Sequence, residues 1–465
     1  MTILEGPLRV VNAGLPLIVE GVPSDRVTQL DWRPPAFGDA DVARLALALD
    51  DASTVEANTR AIAAVHAVRP QLTRIRPARE VVPGLGEGRL LLHAGPPIEW
   101  ERMCGPMQGA LVGAALFEGW AASPEEAESL LGSGAIAVDP CHHHGAVGPM
   151  AGVLAPSMPV VVATDPSDGR VAFASLNEGL GKVLRFGAFD EEVITRLAWM
   201  RDVLGPILDR ALEEYGPIDI TSLIGQALSM GDEGHNRNVA ATSLLTRRLA
   251  PTIAALEPNS EAVAVLAFLA GNDHFALNIS MASAKLSMDA ALGIENSTLV
   301  TAMARNGVEF GLRVAGSGDE WFTTAVGPAD GLFFPGYGPD DANPDLGDSA
   351  ITETMGLGGF AMAASPAITQ FVGGSPADAI AATRSMRRIT MGPHPAYPLP
   401  PMNFAGSPSG IDVLKVLDTG VLPLINTGIA HKKAGVGQIG AGIVTAPPEV
   451  FLTATRSLAS RRGLG

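Results

Sequence analysis

The sequence predicts a mixed α/β (α+β), multi-domain fold in which a mainly helical central segment lies between α/β units. Three observations carry this. At 465 residues the chain exceeds a single domain of roughly 100 to 200 residues, which makes two to four units. Apolar residues make up 47% and aromatic ones only 5%, so the interior is built from small side chains. The periodicity of apolar residues also changes, becoming helical near Asp190 and β-prone again beyond Asn296. The expected segments are therefore 1–100, an N-terminal α/β unit; 101–189, a second α/β segment; 190–295, mainly helical; and 296–465, a C-terminal α/β unit.

The elements follow in chain order. LRVVNAGL, from Leu8, is an apolar run ending in a Gly turn, and RVTQLDWRPP reaches Asp31; both read as strands. Ser53 with Glu56 has capping-box spacing before the helical pattern Val55, Ile62, Val65 and Val68. Ser123, Pro124 and Glu126 repeat the signal before a helix ended by Gly132, and AIAVDP then reads as a strand. Val193, Leu197, Leu204 and Leu208 recur at helical spacing. Farther on come a β-prone run, Val308 to Val314, a helix, Ala377 to Arg388, and a Gly-rich segment, Gly435 to Gly442.

The net charge of −17 is spread along the chain and no run of basic residues occurs, so nucleic acid and anionic membranes are not expected partners. Cations for an anionic substrate must then be placed locally, inside a pocket. Apolar stretches such as Gly109 to Phe117 and Ala262 to Ala270 fall short of the roughly 20 residues of a membrane span. The first residues lack a basic stretch followed by an apolar one, and Cys104 and Cys141 are the only cysteines, so a reducing cytoplasm is expected. Only 17% of the residues are charged, which points to subunit contacts and an oligomer.

Six polar strings stand inside otherwise apolar sequence, where an unpartnered polar group costs about 1 to 3 kcal/mol. GDEGHNRN offers Asp232, Glu233, His235, Asn236, Arg237 and Asn238 between two helices; helix capping accounts for Asp232 or Asn236, not for His235 and Arg237. GNDHFALN supplies Asn272, Asp273, His274 and Asn278, with Lys285 seven residues beyond Asn278 on the same helix face; ordinary caps and a core histidine are the alternative. ARNGVEFG carries Arg305, Asn306 and Glu309, which a local salt bridge would equally explain. In DANPDLGDSAITET, from Asp341 to Thr354, Gly347 and Ser349 are placed to present N–H groups and a hydroxyl to an anion. NTGIAHKKAGVGQIGAG holds Asn426, Thr427, His431 and Lys432 before glycines, a ligand approach or a Gly-rich turn with solvated lysines.

The sixth string, DPCHHHGAVGPMAG, invites a zinc reading at Cys141, His142 and His144. Consecutive histidines on an extended chain alternate in direction, so only His142 and His144 would converge. No CxxC or HExxH follows, and substrate contact or plain hydrogen bonding by these two histidines is preferred over a metal. No cofactor is expected, and magnesium is left open. P-loop and GxSxG patterns are absent, and no GxGxxG opens a dinucleotide site.

These strings occur in order with FPGYGPDDANPDLGDSAITETMGLGGFAMAASPAI between them. VVNAGL and DWRPPA stand near the start and INTGIAHKKAGVGQIGAGI near the end. Together they resemble the AllG/YlbE-like family, long catalogued as a domain of unknown function, over most of the chain and most strongly from Gly231 onward. The resemblance implies a subunit of oxamate carbamoyltransferase, which converts oxalurate and phosphate into oxamate and carbamoyl phosphate in ureide (allantoin, purine) breakdown. It supplies no residue roles; those follow from the chemistry. Small anionic reactants call for cations, for which Arg237, Arg305, Lys285 and Lys432 are candidates. Asn236, Asn278 and Asn426 suit the ureido group, with Asn238, Asn272, Asn306, Glu309, Ser349, Thr427, His431, His142 and His144 as further substrate contacts. His235 or His274, with Asp232 and Glu233, would move the proton.

The chain lacks the SxRTR loop of aspartate and ornithine carbamoyltransferases and has HPAY at His394 instead of HPxQ, so it stands outside that superfamily. The competing readings are a non-catalytic scaffold or regulatory subunit of such a complex, and a metal-dependent amidohydrolase acting on a ureido substrate.

Overall fold

The computed structural model describes residues 9–13, 16–30, 34–256 and 259–464. Its architecture is mixed α/β. Leu8, Gly14, Leu15 and Asp31, expected within or beside the first two strands, lie outside the described residues; Val10–Ala13 and Val27–Leu30 pair in parallel.

A five-stranded sheet runs in the order Ile218–Asp219, Gln71–Pro77, Pro159–Thr164, Val171–Ser175 and Ala146–Val147. It draws strands from three of the expected segments. Helix Gly205–Tyr215 packs on strand Gln71–Pro77, and helix Phe275–Asp289 on strands Pro159–Thr164 and Val171–Ser175. Every residue from Phe275 to Met288 is buried. A helix enclosed on all sides is apolar or small all round; here Ala276, Ala282, Ala284, Ser280, Ser283 and Ser287 let neighbouring elements approach closely.

A four-stranded sheet, Phe322–Ala325, Glu309–Val314, Val300–Asn306 and Leu346–Gly347, lies beside a three-stranded one, Asp330–Phe333, Gln438–Thr445 and Leu424–Ala430. The Gly-rich segment thus becomes largely strand. One apolar core runs through all four expected segments, from Ala61 to Ala430, and another joins helices Ala40–Leu49 and Pro448–Arg461. Among the described residues no single helix is long and apolar enough to cross a membrane.

Ser123 does cap helix Pro124–Gly132, accepting from Glu126 N at 3.2 Å, while Glu126 accepts from Ala122 N. At helix Ala52–Ala67 the cap is instead Asp51, which accepts from Ser53 N and Thr54 N. Ser53, expected as the cap, already lies inside the first turn, and a carboxylate there is also favoured by the helix dipole. Cys141–His144 form a 3₁₀ turn, not an extended chain.

Candidate functional site

The site grows from the loop 231–238, between helices Ile220–Ser229 and Val239–Leu256. Glu233, fully buried, turns back on its own loop and accepts from the backbone N–H groups of His235 (2.7 Å), Asn236 (2.5 Å) and Arg237 (2.9 Å). Asp232 accepts from Ala241 N at 2.9 Å and so caps the following helix. Burial raises both carboxylates, Asp232 to about 6 and Glu233 to about 7. Asn238 donates to His235 O at 2.6 Å. Three polar side chains therefore hold the loop's shape, and what they hold is the imidazole of His235.

His235 Nδ1 stands 2.9 Å from each oxygen of Glu353, 118 residues away, with both side chains buried. Glu353 also accepts from Thr352 Oγ1 (3.0 Å), Gly359 N (3.0 Å) and Asn426 N (3.1 Å), so the carboxylate is fixed by four neighbours. Gly358 makes this possible: its φ is +56°, and a Cβ there would lie 1.8 Å from Glu353 Oε1. A carboxylate on Nδ1 selects the tautomer in which Nδ1 carries hydrogen and Nε2 has a free lone pair. Among the described residues Nε2 has no partner, and His235 lines a cavity of about 400 Å³.

The same cavity is lined by Asn236, Arg237 and Asn238, by His274, by Ser349 and by Gly428 and Gln438. Pro149 and Met150, at the end of the histidine string, line it as well, so five of the six strings meet there. Asn236 Nδ2 donates to Thr427 O (3.2 Å), which ties the loop to strand Leu424–Ala430. Arg237, one-third exposed, donates from Nε to Gly231 O and lies 3.8 Å from Asp232. His274 is pushed down to about 4 by burial and by the positive charge of Arg185 and His235, so it is neutral near pH 7. Ser349 Oγ is buried without a partner among the described residues.

Other expected site residues support the wall or lie elsewhere. Arg305 is fully buried, pairs with Asp345 at 2.6 Å and donates to Gly347 O; Asp345 also accepts from Thr427 Oγ1. Asn278 bonds Ser175 and Asn177, and Asn272 donates to Asn177 O, which together stitch the central helix to the end of strand Val171–Ser175. Lys285 faces Asp289 at 2.8 Å, not Asn278. Asn306 holds the turn to Val308 and Glu309, and Glu309 pairs with exposed Arg102. Asn426 is buried, and neither of its side-chain polar atoms has a partner among the described residues. His431 packs on Tyr337, and exposed Lys432 donates to Asp340 O.

The histidine string diverges. His142 is buried 3.5 Å from Asp348 with Trp321 edge-on, whereas His144 contacts Asp139 (2.8 Å) and Pro83 O. His142 and His144, expected to converge, point to different partners because the 3₁₀ turn rotates successive side chains by about 120° rather than alternating them. Among the described residues no three His, Cys, Asp or Glu side chains gather to hold a metal.

Sequence reasoning missed Glu353, Asp345 and Asp348, although all three stand inside DANPDLGDSAITET. Asp348 is fully buried, accepts from Gly95 N (2.7 Å) and Gly148 N (2.9 Å), and is raised to about 7 by burial. Arg185, in VLRFG, carried no motif at all, yet it lines the cavity and is 7% exposed.

Comparison with known proteins gives a consistent family. A family described as "Oxamate carbamoyltransferase subunit AllG" matches residues 136–349, a span holding the loop 231–238 and His274 but ending before Glu353. The Escherichia coli (strain K12) protein named "Oxamate carbamoyltransferase subunit AllG" is 48% identical over 417 residues, covering 89% of this chain and 99% of that one. "Uncharacterized protein YahG" of the same organism is 46% identical over 468 residues, with 98% of each chain covered. A crystal structure of a conserved protein of unknown function from Enterococcus faecalis V583 superposes with a TM-score of 0.86 at 48% identity, covering 88% of this chain and 98% of that one. At such identity, over nearly the whole of that relative, the chain belongs to the family of the oxamate carbamoyltransferase subunit AllG.

Proposed function

We propose that the chain is a subunit of an oxamate carbamoyltransferase-like enzyme, acting with other subunits to move a carbamoyl group between oxalurate and phosphate in ureide breakdown in the cytoplasm. The observation that carries a catalytic role is the buried Glu353–His235 pair at the wall of a cavity sized for a small acid. In the phosphorolytic direction a phosphate oxygen attacks the ureido carbonyl carbon. The bond from that carbon to the oxamate nitrogen breaks, and the nitrogen takes a proton as oxamate leaves. Imidazolium at His235, balanced by Glu353, supplies that proton from Nε2; in the reverse direction the neutral ring accepts it from the oxamate amide. Asn236 and Arg237, on the same loop, face the cavity where the ureido group and phosphate would lie.

The test is carbamoyl phosphate formation from oxalurate and phosphate by the chain mixed with its partner subunits. Loss of product with His235→Ala, in a mixture that still assembles, supports a catalytic subunit. Undiminished product with that variant would leave the chain an organising role only.

A further inference from the structure

Among the described residues, the buried lysine and arginine side chains are, with one exception at the cavity, matched by a carboxylate. Arg305 has Asp345, Lys285 has Asp289 and Arg313 has Asp319; Arg237, one-third exposed at the cavity, also has Asp232 within 4 Å. Arg185 has none within that distance among the described residues. Its Nη2 donates to Gly179 O at 2.6 Å, its Nε is buried with no partner, and no described residue bonds its Nη1.

The neighbouring carboxylate is engaged elsewhere. Glu178 accepts from Leu184 N (2.8 Å) and Arg185 N (3.1 Å), so it clamps the backbone of the 3₁₀ turn Leu184–Phe186 rather than the guanidinium. The turn is further fixed by Ala151 N, which donates to Arg185 O, and the guanidinium lies 5.5 Å from the centre of the Phe186 ring. Burial lowers the Arg185 pKa, and Glu178 opposes the shift. Asp273, the one carboxylate among the described lining residues, is exposed. The fold thus holds a rigid, desolvated cation at the wall of a cavity with no carboxylate of the described residues within 4 Å of it, an arrangement costly unless a ligand completes it.

The geometry points to Arg185 as the anion anchor of the cavity: it binds the carboxylate of a small 2-oxo acid amide, oxamate or its carbamoyl derivative, and so orients the amide nitrogen toward His235. This rests on the carbamoyltransferase reading for the identity of the acid. Guanidinium suits the task because its planar fork matches a carboxylate. His274 lies close enough to feel both Arg185 and His235, and being neutral it leaves the carboxylate end to Arg185.

The experiment is equilibrium binding by calorimetry to the purified chain, alone and with its partner subunits, using oxamate, uncharged oxamide, acetate and inorganic phosphate. Arg185→Met and Arg185→Lys are compared with the unaltered chain. Loss of a charge-assisted hydrogen bond should weaken oxamate about 10- to 100-fold in the Met variant, with partial recovery in the Lys variant. Oxamide affinity should not change. The ligand-free Met variant should melt no lower than the parent, since it removes an unmatched buried charge. Equal oxamate affinity in parent and Met variant, or equal losses for oxamate and oxamide, would overturn the anchor, as would a parent that binds no anion of the panel. If acetate and phosphate bind as tightly as oxamate and all are lost with Arg185→Met, the anchor stands and the carbamoyltransferase reading falls. If the Met variant turns over oxalurate with unchanged KM, the anchor falls and that reading stands.

Discussion

Glu353→Gln changes one oxygen to an amino group at the most connected carboxylate of the site. Oε1 receives Gly359 N and Asn426 N, and a glutamine carbonyl placed there keeps both. The new amino group then faces His235 Nδ1 from 2.9 Å and Thr352 Oγ1 from 3.0 Å. The hydroxyl can turn to accept. Nδ1 lies 2.9 Å from the retained Oε1 as well, so the carbonyl can still accept its hydrogen, but without the negative charge that balances the ring once Nε2 is protonated. Two effects follow: a hydrogen bond to a charged group, worth about 1.5 to 3 kcal/mol, becomes one to a neutral amide, and the imidazolium that donates from Nε2 loses the anion that balances it. General acid–base catalysis contributes about 10²- to 10⁴-fold, so kcat should fall about 10²- to 10³-fold while KM for oxalurate moves less than about threefold. The assay is steady-state carbamoyl phosphate production by the reconstituted complex, with ¹⁵N spectra of the histidines reporting the tautomer. A folded variant retaining kcat within about threefold of the parent would refute the role given to this pair.

Gly358→Ala sets a Cβ at 1.8 Å from Glu353 Oε1 and 3.0 Å from His235 Cβ, at a φ of +56°. It should cost about 3 kcal/mol or more in urea unfolding and abolish turnover. Asp345→Asn leaves Arg305 buried without a counter-charge and should destabilise by about 3 to 5 kcal/mol, measured the same way. Asp348 titrates at about 7 in the folded chain and near 3.8 as an ordinary carboxyl. Across that window the native state holds the proton that the unfolded state releases, so stability should fall as pH rises, by up to about 1.4 kcal/mol per unit. Asp348→Asn should flatten this slope in unfolding curves taken between pH 4.5 and 7.5; an unaltered slope would assign the effect to other groups.

Much of the site was legible because burying several polar side chains within a short stretch needs a reason, and GDEGHNRN and GNDHFALN do reach one cavity. The roles inside those strings were not legible. Asp232 and Glu233 look like catalytic acids in sequence, but their oxygens face backbone N–H groups of their own loop. The carboxylate that serves His235 instead comes from a five-residue helix, Ile351–Met355, whose register follows from packing alone. Arg185 was invisible because its significance is the absence of a partner, which only the folded chain reveals. His142 and His144 diverge because the segment is a 3₁₀ turn and not an extended chain, and the cap at Asp51 is masked in sequence by a competing hydroxyl two residues on.

The contacts that fix His235 span great lengths of chain, and this sets a timetable. The loop bearing His235 has been made long before strand Leu424–Ala430 exists, for Asn236 and Thr427 stand 191 residues apart. At roughly 5 to 20 residues per second, a ribosome leaves that loop without its partner strand for about 10 to 40 s. During that interval Glu353 lacks the Asn426 N–H and Arg305 lacks the Thr427 hydroxyl. The surroundings of the Glu353–His235 pair are therefore complete only on a nearly finished polypeptide, and a product truncated before Asn426 is left with an apolar core it cannot close.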